Sequence, residues 1–138
     1  MLLTRSQIMA RVRGRGNEST EKQLARLFRN AGINGWRRHL KLPGTPDFAF
    51  TRCRVVVFVD GCFWHSCPRH ATIPATRRAF WLKKFADNKA RDLRVNRELR
   101  RLGWCVVRIW EHGLIRKNET RVLRRIRLAL KKNHPQRR

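Results

Sequence analysis

Acidic residues are scarce in this chain. Nine Asp and Glu stand against 34 Lys and Arg in 138 residues, a formal net charge of +25. Such an imbalance says little about fold and much about partners. It selects a polyanion, because each phosphate neutralised by Lys or Arg releases condensed counterions. Long apolar runs are missing too. A bilayer span needs about 18 consecutive apolar residues; no stretch approaches that, which excludes a transmembrane helix and leaves a membrane surface as the weaker alternative partner. Met1 to Gln7 is too short and too polar for a signal peptide, so the expected compartment is the cytoplasm, with action at the nucleoid. Cysteine is sparse, and the four thiols are unevenly spaced at positions 53, 62, 67 and 105. In a cytosolic chain they are free thiols or metal ligands rather than a disulfide framework. No internal repeat and no sign of a second domain occurs, and the length suits a single core.

What is present falls into a simple order. Residues 1–16 are basic and punctuated by glycine, which predicts a mobile N-terminal arm carrying Arg11 and Arg13. Asn17 or Ser19 can cap a first helix with Leu24, Leu27, Phe28 and Ala31 on one face and a stop at Gly32. Strands are expected at Trp36 to Leu40, Asp47 to Thr51 and Arg54 to Val59, the second entered through the turn Pro43-Gly44-Thr45-Pro46. The unbroken apolar run Val55 to Val59 asks for a central strand buried on both faces. An irregular stretch over 60–76 precedes a long helix over 77–102, with Phe80, Trp81, Phe85, Leu93, Leu99 and Leu102 on its apolar stripe. A fourth strand over 104–110 and a last helix over about 119–132 follow, the latter with Val122, Leu123, Ile126 and Leu130 inward. The order α-β-β-β-α-β-α predicts an α/β sandwich around a small mixed central sheet flanked by helices, one domain over 17–132, with a basic tail at 133–138.

With so few acids, their positions carry information. Asp47 opens the second strand, Asp60 closes the third, and Glu21 lies in the first turn of the first helix. Antiparallel neighbours can bring Asp47 and Asp60 to one sheet edge, where carboxylates in a basic DNA-binding face would capture Mg²⁺ for phosphodiester cleavage; the alternative is that they cap helices and pair with the abundant Arg. His65 suits a general base, or else a further zinc ligand. Asp92, between Arg91 and Arg94, is either a salt-bridge residue or the partner that orients a catalytic histidine. Cys62-x4-Cys67-x2-His70 supplies three ligands of a closed tetrahedral zinc site. His112, after the last strand, is the expected fourth, with Cys105 as its rival. Phe63, Trp64 and Trp81 flank these groups and can wedge between base pairs, or else pack as local core.

Taken together these segments resemble the very-short-patch-repair (Vsr-type) DNA mismatch endonucleases. The resemblance runs through Met9-Ala10-Arg11-Val12-Arg13-Gly14, Leu42-Pro43-Gly44-Thr45-Pro46-Asp47-Phe48 and Val57-Phe58-Val59-Asp60-Gly61-Cys62-Phe63-Trp64-His65. It continues in Phe80-Trp81, Asn88, Asp92, Gly103-Trp104 and Arg108-Ile109-Trp110-Glu111, covering about residues 9–115. It implies a PD-(D/E)xK restriction-endonuclease-like fold, catalytic Mg²⁺, a structural zinc, and nicking on the 5′ side of the thymine in T·G mismatches left by deaminated 5-methylcytosine. By the same resemblance Asp47 is the essential Mg²⁺-binding carboxylate, Val59 offers its backbone carbonyl, and Asp60, where some members carry a second histidine, suggests an extra metal ligand. His65 is implied as the catalytic histidine with Asp92 its helical counterpart, Glu21 as a supporting acid, Phe63, Trp64 and Trp81 as the intercalating trio, Met9 and Val12 as the arm entering the minor groove, and Cys62, Cys67, His70 and His112 as the zinc set. The partner is then mismatched double-stranded DNA, bound by a monomer, with a functional link to a cytosine-5 methyltransferase and repair proteins. Two other readings are a restriction-type or transposon-associated nuclease with another target, and a zinc-stapled DNA-binding protein that cuts nothing.

Overall fold

The computed structural model describes residues 18–61 and 74–135. Helix α1 (Glu18–Asn30) buries Leu24, Ala25 and Phe28, and half-buries Leu27, the one-sided spacing of an amphipathic helix. It ends at Gly32, whose φ of +71° suits a residue without Cβ, and the Ile33 N–H closes back on the Phe28 carbonyl at 2.8 Å. Strands β1 (Trp36–Arg38), β2 (Phe48–Phe50) and β3 (Val55–Asp60) follow, then helix α2 (Arg78–Arg101), strand β4 (Cys105–Trp110), two 3₁₀ turns (Glu111–Leu114 and Arg116–Asn118) and helix α3 (Glu119–Lys132).

The sheet order is β1-β2-β3-β4. The first two pairings are antiparallel and β3–β4 is parallel, so the sheet is mixed. Parallel neighbours need a crossover, and α2 lies within that connection. All six residues of β3 are buried. Alternation along the strand sends Val55, Val57 and Val59 into the larger core, with Leu24 and Phe28 of α1, Phe48 and Phe50 of β2, Ile109 of β4 and Ile126 of α3. Val56 and Phe58 point the other way, into a smaller core with Ala49 and Leu99 of α2. A helix layer on each face explains why β3 reads as a continuous apolar run rather than an alternating one.

Two elements differ from the sequence expectation. Strand β1 stops at Arg38 rather than reaching Leu40, because His39 takes a left-handed φ of +52° that ends extended pairing. The apolar stripe assigned to α2 is only partly inward: Phe85 and Leu99 are buried and Trp81 half-buried, but Phe80, Leu93 and Leu102 are exposed, and the polar Asn88 takes a buried place. Length explains this. A 24-residue helix is about 36 Å long, whereas a six-residue strand spans about 20 Å, so the helix outruns the sheet that could cover its stripe.

The turn before β2 is held firmly. Gly44 has φ +74°, and a Cβ there would meet Val95 Cγ1 of α2 at 2.5 Å. This close approach, followed by the buried Pro46, delivers the chain to Asp47 at the start of β2.

Candidate active site

Among the described residues the buried charged side chains are Glu21, Asp47 and Asp60, at 1%, 6% and 6% exposure, in a chain dominated by cations. The fold gathers them at one end of the sheet. The β2–β3 register, Phe48 opposite Val57, sets Asp47 beside the end of β3. There the Val59 N–H donates to Asp47 Oδ2 at 2.7 Å, so the Val59 peptide and the Asp47 carboxylate are neighbours. Glu21 reaches the same place from α1. Its Oε2 accepts a hydrogen bond from the Arg38 guanidinium and lies 3.1 Å from His39 Nε2. Its Oε1 is buried and has no hydrogen-bond partner among the described residues.

Ligand atoms of Glu21, His39 and Asp47 lie within 4.8 Å of one another. Burial, and then a hydrogen bond with the Glu21 carboxyl, push the Asp47 carboxyl up to about 8; the Val59 N–H pulls the other way, and the Glu21 and Asp60 charges add smaller rises. Two carboxyls packed this closely in a low-dielectric pocket need a positive charge between them, either a shared proton or a cation. A buried, unpartnered carboxylate oxygen beside a second carboxylate fits a divalent metal ion, which takes oxygen ligands and supplies that charge. Glu21, Asp47 and the peptide at Val59 are the oxygen-bearing groups able to hold one.

Asp60 meets a different partner. Arg108 of β4 donates to Asp60 Oδ1 at 2.8 Å, lies 3.8 Å from Asp92 Oδ1, and donates through Nε to Asn96 Oδ1 at 2.7 Å. Its guanidinium covers the Phe58 ring at 4.2 Å. The parallel register pairs Phe58 with Arg108, and strand alternation puts Phe58, Asp60 and Arg108 on the face that α2 covers. Asp92 and Asn96, one helical turn apart on α2, complete this network. Asp92 therefore stands in a salt-bridge network with Asp60 through Arg108.

The remaining expected residues divide by place. Trp81 meets Phe80 edge to face at 5.1 Å and Phe85 at a tilt at 6.1 Å, and Arg77 covers Phe80 at 4.3 Å, forming a basic aromatic ledge at the start of α2. His112 is half-buried in the first 3₁₀ turn, its ring stacked on Trp110 at 6.5 Å. Cys53 and Cys105 are half-buried free thiols against the larger core. Met9, Arg11, Val12, Arg13, Cys62, Phe63, Trp64, His65, Cys67 and His70 lie outside the described residues.

Sequence reasoning missed His39, Arg38 and Arg108. Arg108 carried a usable signal: it is the single charged residue in the otherwise apolar strand Cys105–Trp110, and a lone charge there asks for a buried counter-charge. His39 carried none, since it follows two arginines in an ordinary polar stretch.

The family model described as DNA mismatch endonuclease Vsr matches residues 3–70. The DNA mismatch endonuclease Vsr of Escherichia coli (strain K12) is 40% identical over 112 residues, covering 80% of this chain and 71% of that protein. The type II nicking enzyme V.XorIIP of Xanthomonas oryzae pv. oryzae is 40% identical over 110 residues, covering 78% of this chain and 79% of that one. The type II nicking enzyme V.NaeI of Lentzea aerocolonigenes is 49% identical over 67 residues, a match that spans only 40% of that enzyme. Shared identity across most of the domain in these relatives means that the chain belongs to the Vsr family of DNA mismatch endonucleases.

Proposed function

We propose that this endonuclease nicks one strand of duplex DNA on the 5′ side of the thymine in T·G mismatches, in a reaction that depends on Mg²⁺ or a similar divalent cation. The observation that carries the reading is the Glu21–Asp47 pair: two buried carboxyls, one with an oxygen that has no hydrogen-bond donor among the described residues, beside the Val59 peptide in a chain of net charge +25. A family of nucleases whose relatives are named as mismatch and nicking enzymes supports DNA as the substrate. The small mixed sheet between helix layers supports a PD-(D/E)xK-type scaffold, with Pro46-Asp47 as its first signature pair.

In this reading Asp47 and the Val59 carbonyl hold the cation, with Glu21 beside them, and Asp60 contributes charge from across the β3 end. When bound, the cation stabilises negative charge on the scissile phosphate and favours ionisation of a bound water. His65 orients or deprotonates the attacking water, and in-line displacement leaves a 5′-phosphate and a 3′-hydroxyl. Asp92 acts from α2 on the geometry of that histidine through the Arg108 network. Phe63, Trp64 and Trp81 wedge into the base stack, and a T·G pair is cheaper to unstack than a sound one. The arm with Met9, Arg11, Val12 and Arg13 grips the minor groove from the far side. Cys62, Cys67, His70 and His112 close on a structural zinc that ties the end of β4 to the segment after β3.

A nicking assay on T·G and matched duplexes tests the activity. The expected result is one nicked strand on the T·G duplex with Mg²⁺, none with chelator, and none for Asp47→Ala. Equal cutting of matched DNA would favour a restriction-type target, and salt-dependent binding without nicking would leave a DNA-binding protein only. Metal analysis of protein purified without chelator tests the cage, with about one zinc per chain expected from a closed four-ligand site.

A further inference from the structure

We propose that His39 is a nitrogen ligand of the cation held by Glu21 and Asp47, which makes the centre a mixed nitrogen–oxygen site that favours Mn²⁺ over Mg²⁺. The inference rests on the reading of Glu21 and Asp47 as cation-binding carboxylates and assigns them a third donor. Three observations carry it. His39 Nε2 lies 3.1 Å from Glu21 Oε2, and the three side chains offer ligand atoms within 4.8 Å of one another. Octahedral ligands at about 2.1 Å from a metal sit about 3 Å apart along a shared edge and about 4.2 Å apart across the centre, so the 3.1 Å His39–Glu21 separation fits a shared edge, and the 4.8 Å bound on the set needs a contraction of no more than about 0.6 Å to close into one shell.

The second observation concerns Glu21. The Arg38 guanidinium already pairs with its Oε2, so the carboxylate does not need His39 to fix its orientation. Its other oxygen is buried without a partner among the described residues, in a side chain only 2% exposed. A carboxylate pinned on one side and unsatisfied on the other is arranged to receive something.

The third is charge balance. Two carboxylates neutralise a divalent cation, and a neutral imidazole adds a donor without adding charge. With the Arg38 guanidinium beside Glu21 counted, a third carboxylate would bring the loaded pocket to neutrality, whereas an imidazole leaves it one positive charge with which to meet a phosphate. The consequence for metal choice follows from ligand chemistry. Mg²⁺ prefers oxygen and keeps its waters, whereas imidazole suits Mn²⁺ and the later first-row ions better.

Pulsed electron paramagnetic resonance of the full zinc-loaded chain with substoichiometric Mn²⁺ reads the ligand directly. The expected wild-type spectrum carries the ¹⁴N coupling of a coordinated imidazole, and uniform ¹⁵N-histidine labelling replaces it with the ¹⁵N pattern. His39→Gln loses the coupling but still binds Mn²⁺ through Asp47, while His65→Gln keeps it. Competition titration should find the Mn²⁺-to-Mg²⁺ affinity ratio lowered about tenfold or more in His39→Gln, at least the cost of losing an outer-shell partner. His39→Glu lowers the ratio likewise, by restoring an all-oxygen shell. Asp47-dependent Mn²⁺ binding with no nitrogen coupling, or coupling that survives in His39→Gln, overturns the assignment of His39 alone. Mn²⁺ binding that is absent, or equally strong in Asp47→Asn, overturns the cation site itself.

Discussion

Replacing Arg108 by Met should unfold the protein well before the wild type, and replacing Asp60 with it should restore much of the loss. Asp60 and Arg108 side chains are only 9% and 19% exposed, so their pairing is an interior one. Methionine keeps an unbranched apolar stem against Phe58 but removes the guanidinium. At an effective dielectric near 20, opposite charges about 4 Å apart gain roughly 4 kcal/mol. Breaking a buried pair by deleting one member typically costs about 3–5 kcal/mol, because the survivor is left desolvated and unpaired. Here the survivor also lies near Asp92, which shares the same Arg108 nitrogen and has its own sign. With an unfolding entropy of about 2.1 cal/mol/K per residue over 138 residues, each kcal/mol moves Tm by about 3–4 °C, so a fall of roughly 10–17 °C is expected. Asp60→Asn with Arg108→Met removes the stranded charge. It should leave the lost Asn96 hydrogen bond, the contact over Phe58 and the longer pairing with Asp92, about 1–3 kcal/mol together. Urea denaturation of the four proteins, with zinc present and no added Mg²⁺, measures the cycle. Single-variant losses that add to within about 0.5 kcal/mol would mean that the two side chains do not interact, and the argument would fail.

Three further outcomes follow from the same geometry. Asp47 is raised from 3.8 to about 8, so between those values the native state keeps a proton that the unfolded chain has released; without added divalent cation, stability should fall as pH rises through that window, by up to about 1.4 kcal/mol per pH unit, and Asp47→Asn should abolish the slope. An identical pH profile for both proteins in chemical denaturation would contradict this. Gly44→Ala should destabilise by about 2–5 kcal/mol, combining a left-handed backbone with a Cβ 2.5 Å from Val95 Cγ1, and Val95→Ala should rescue the clash part; a loss under about 1 kcal/mol would show that the turn does not bear on α2. Trp81→Ala should weaken binding to a T·G duplex more than to a matched one in a fluorescence titration, beyond any loss of stability from its contact with Phe85; equal weakening would make it a packing residue only.

Much of the fold was legible because its causes are local. Val55 to Val59 is apolar on both faces, which only a central strand covered twice can use, and β3 is that strand. Gly32 and Gly103, both at positive φ, ended their helices where the sequence placed the stops. The stripe of α2 was misread because periodicity reports which side of a helix is apolar, not how much sheet lies beneath it. The site was legible only in its acids. Asp47 sits behind a Pro-Gly turn that marks it, whereas His39 and Arg108 gain meaning from partners 18 and 48 residues away. No short window along the chain contains those pairs; the meeting of α1 with the end of β1 creates the first and the parallel β3–β4 register the second.

The scarcity of acids has a physical sense once their burial is known. Basic side chains cover the solvent faces of α2 and α3, among them Lys83, Lys84, Arg94, Arg97, Arg121 and Arg124, where they can meet phosphates without desolvation. The acids on those faces are few, Asp87 and the Arg101-paired Glu98 of α2 among them, and subtract little from that attraction. Within the sheet end the logic reverses. A carboxylate there repels an incoming phosphate unless a positive charge lies between them; on the proposed reading Glu21, paired with Arg38, and Asp47, which holds a proton below about 8, favour DNA most once a divalent ion takes that place. Metal and DNA then strengthen each other's binding, and linkage requires the effect to be mutual. The surrounding positive charge works in the same direction: it weakens cation capture by the free protein and is itself offset when the duplex is bound. If Glu21 and Asp47 hold the catalytic ion as proposed, a net charge of +25 discourages that ion until the substrate arrives.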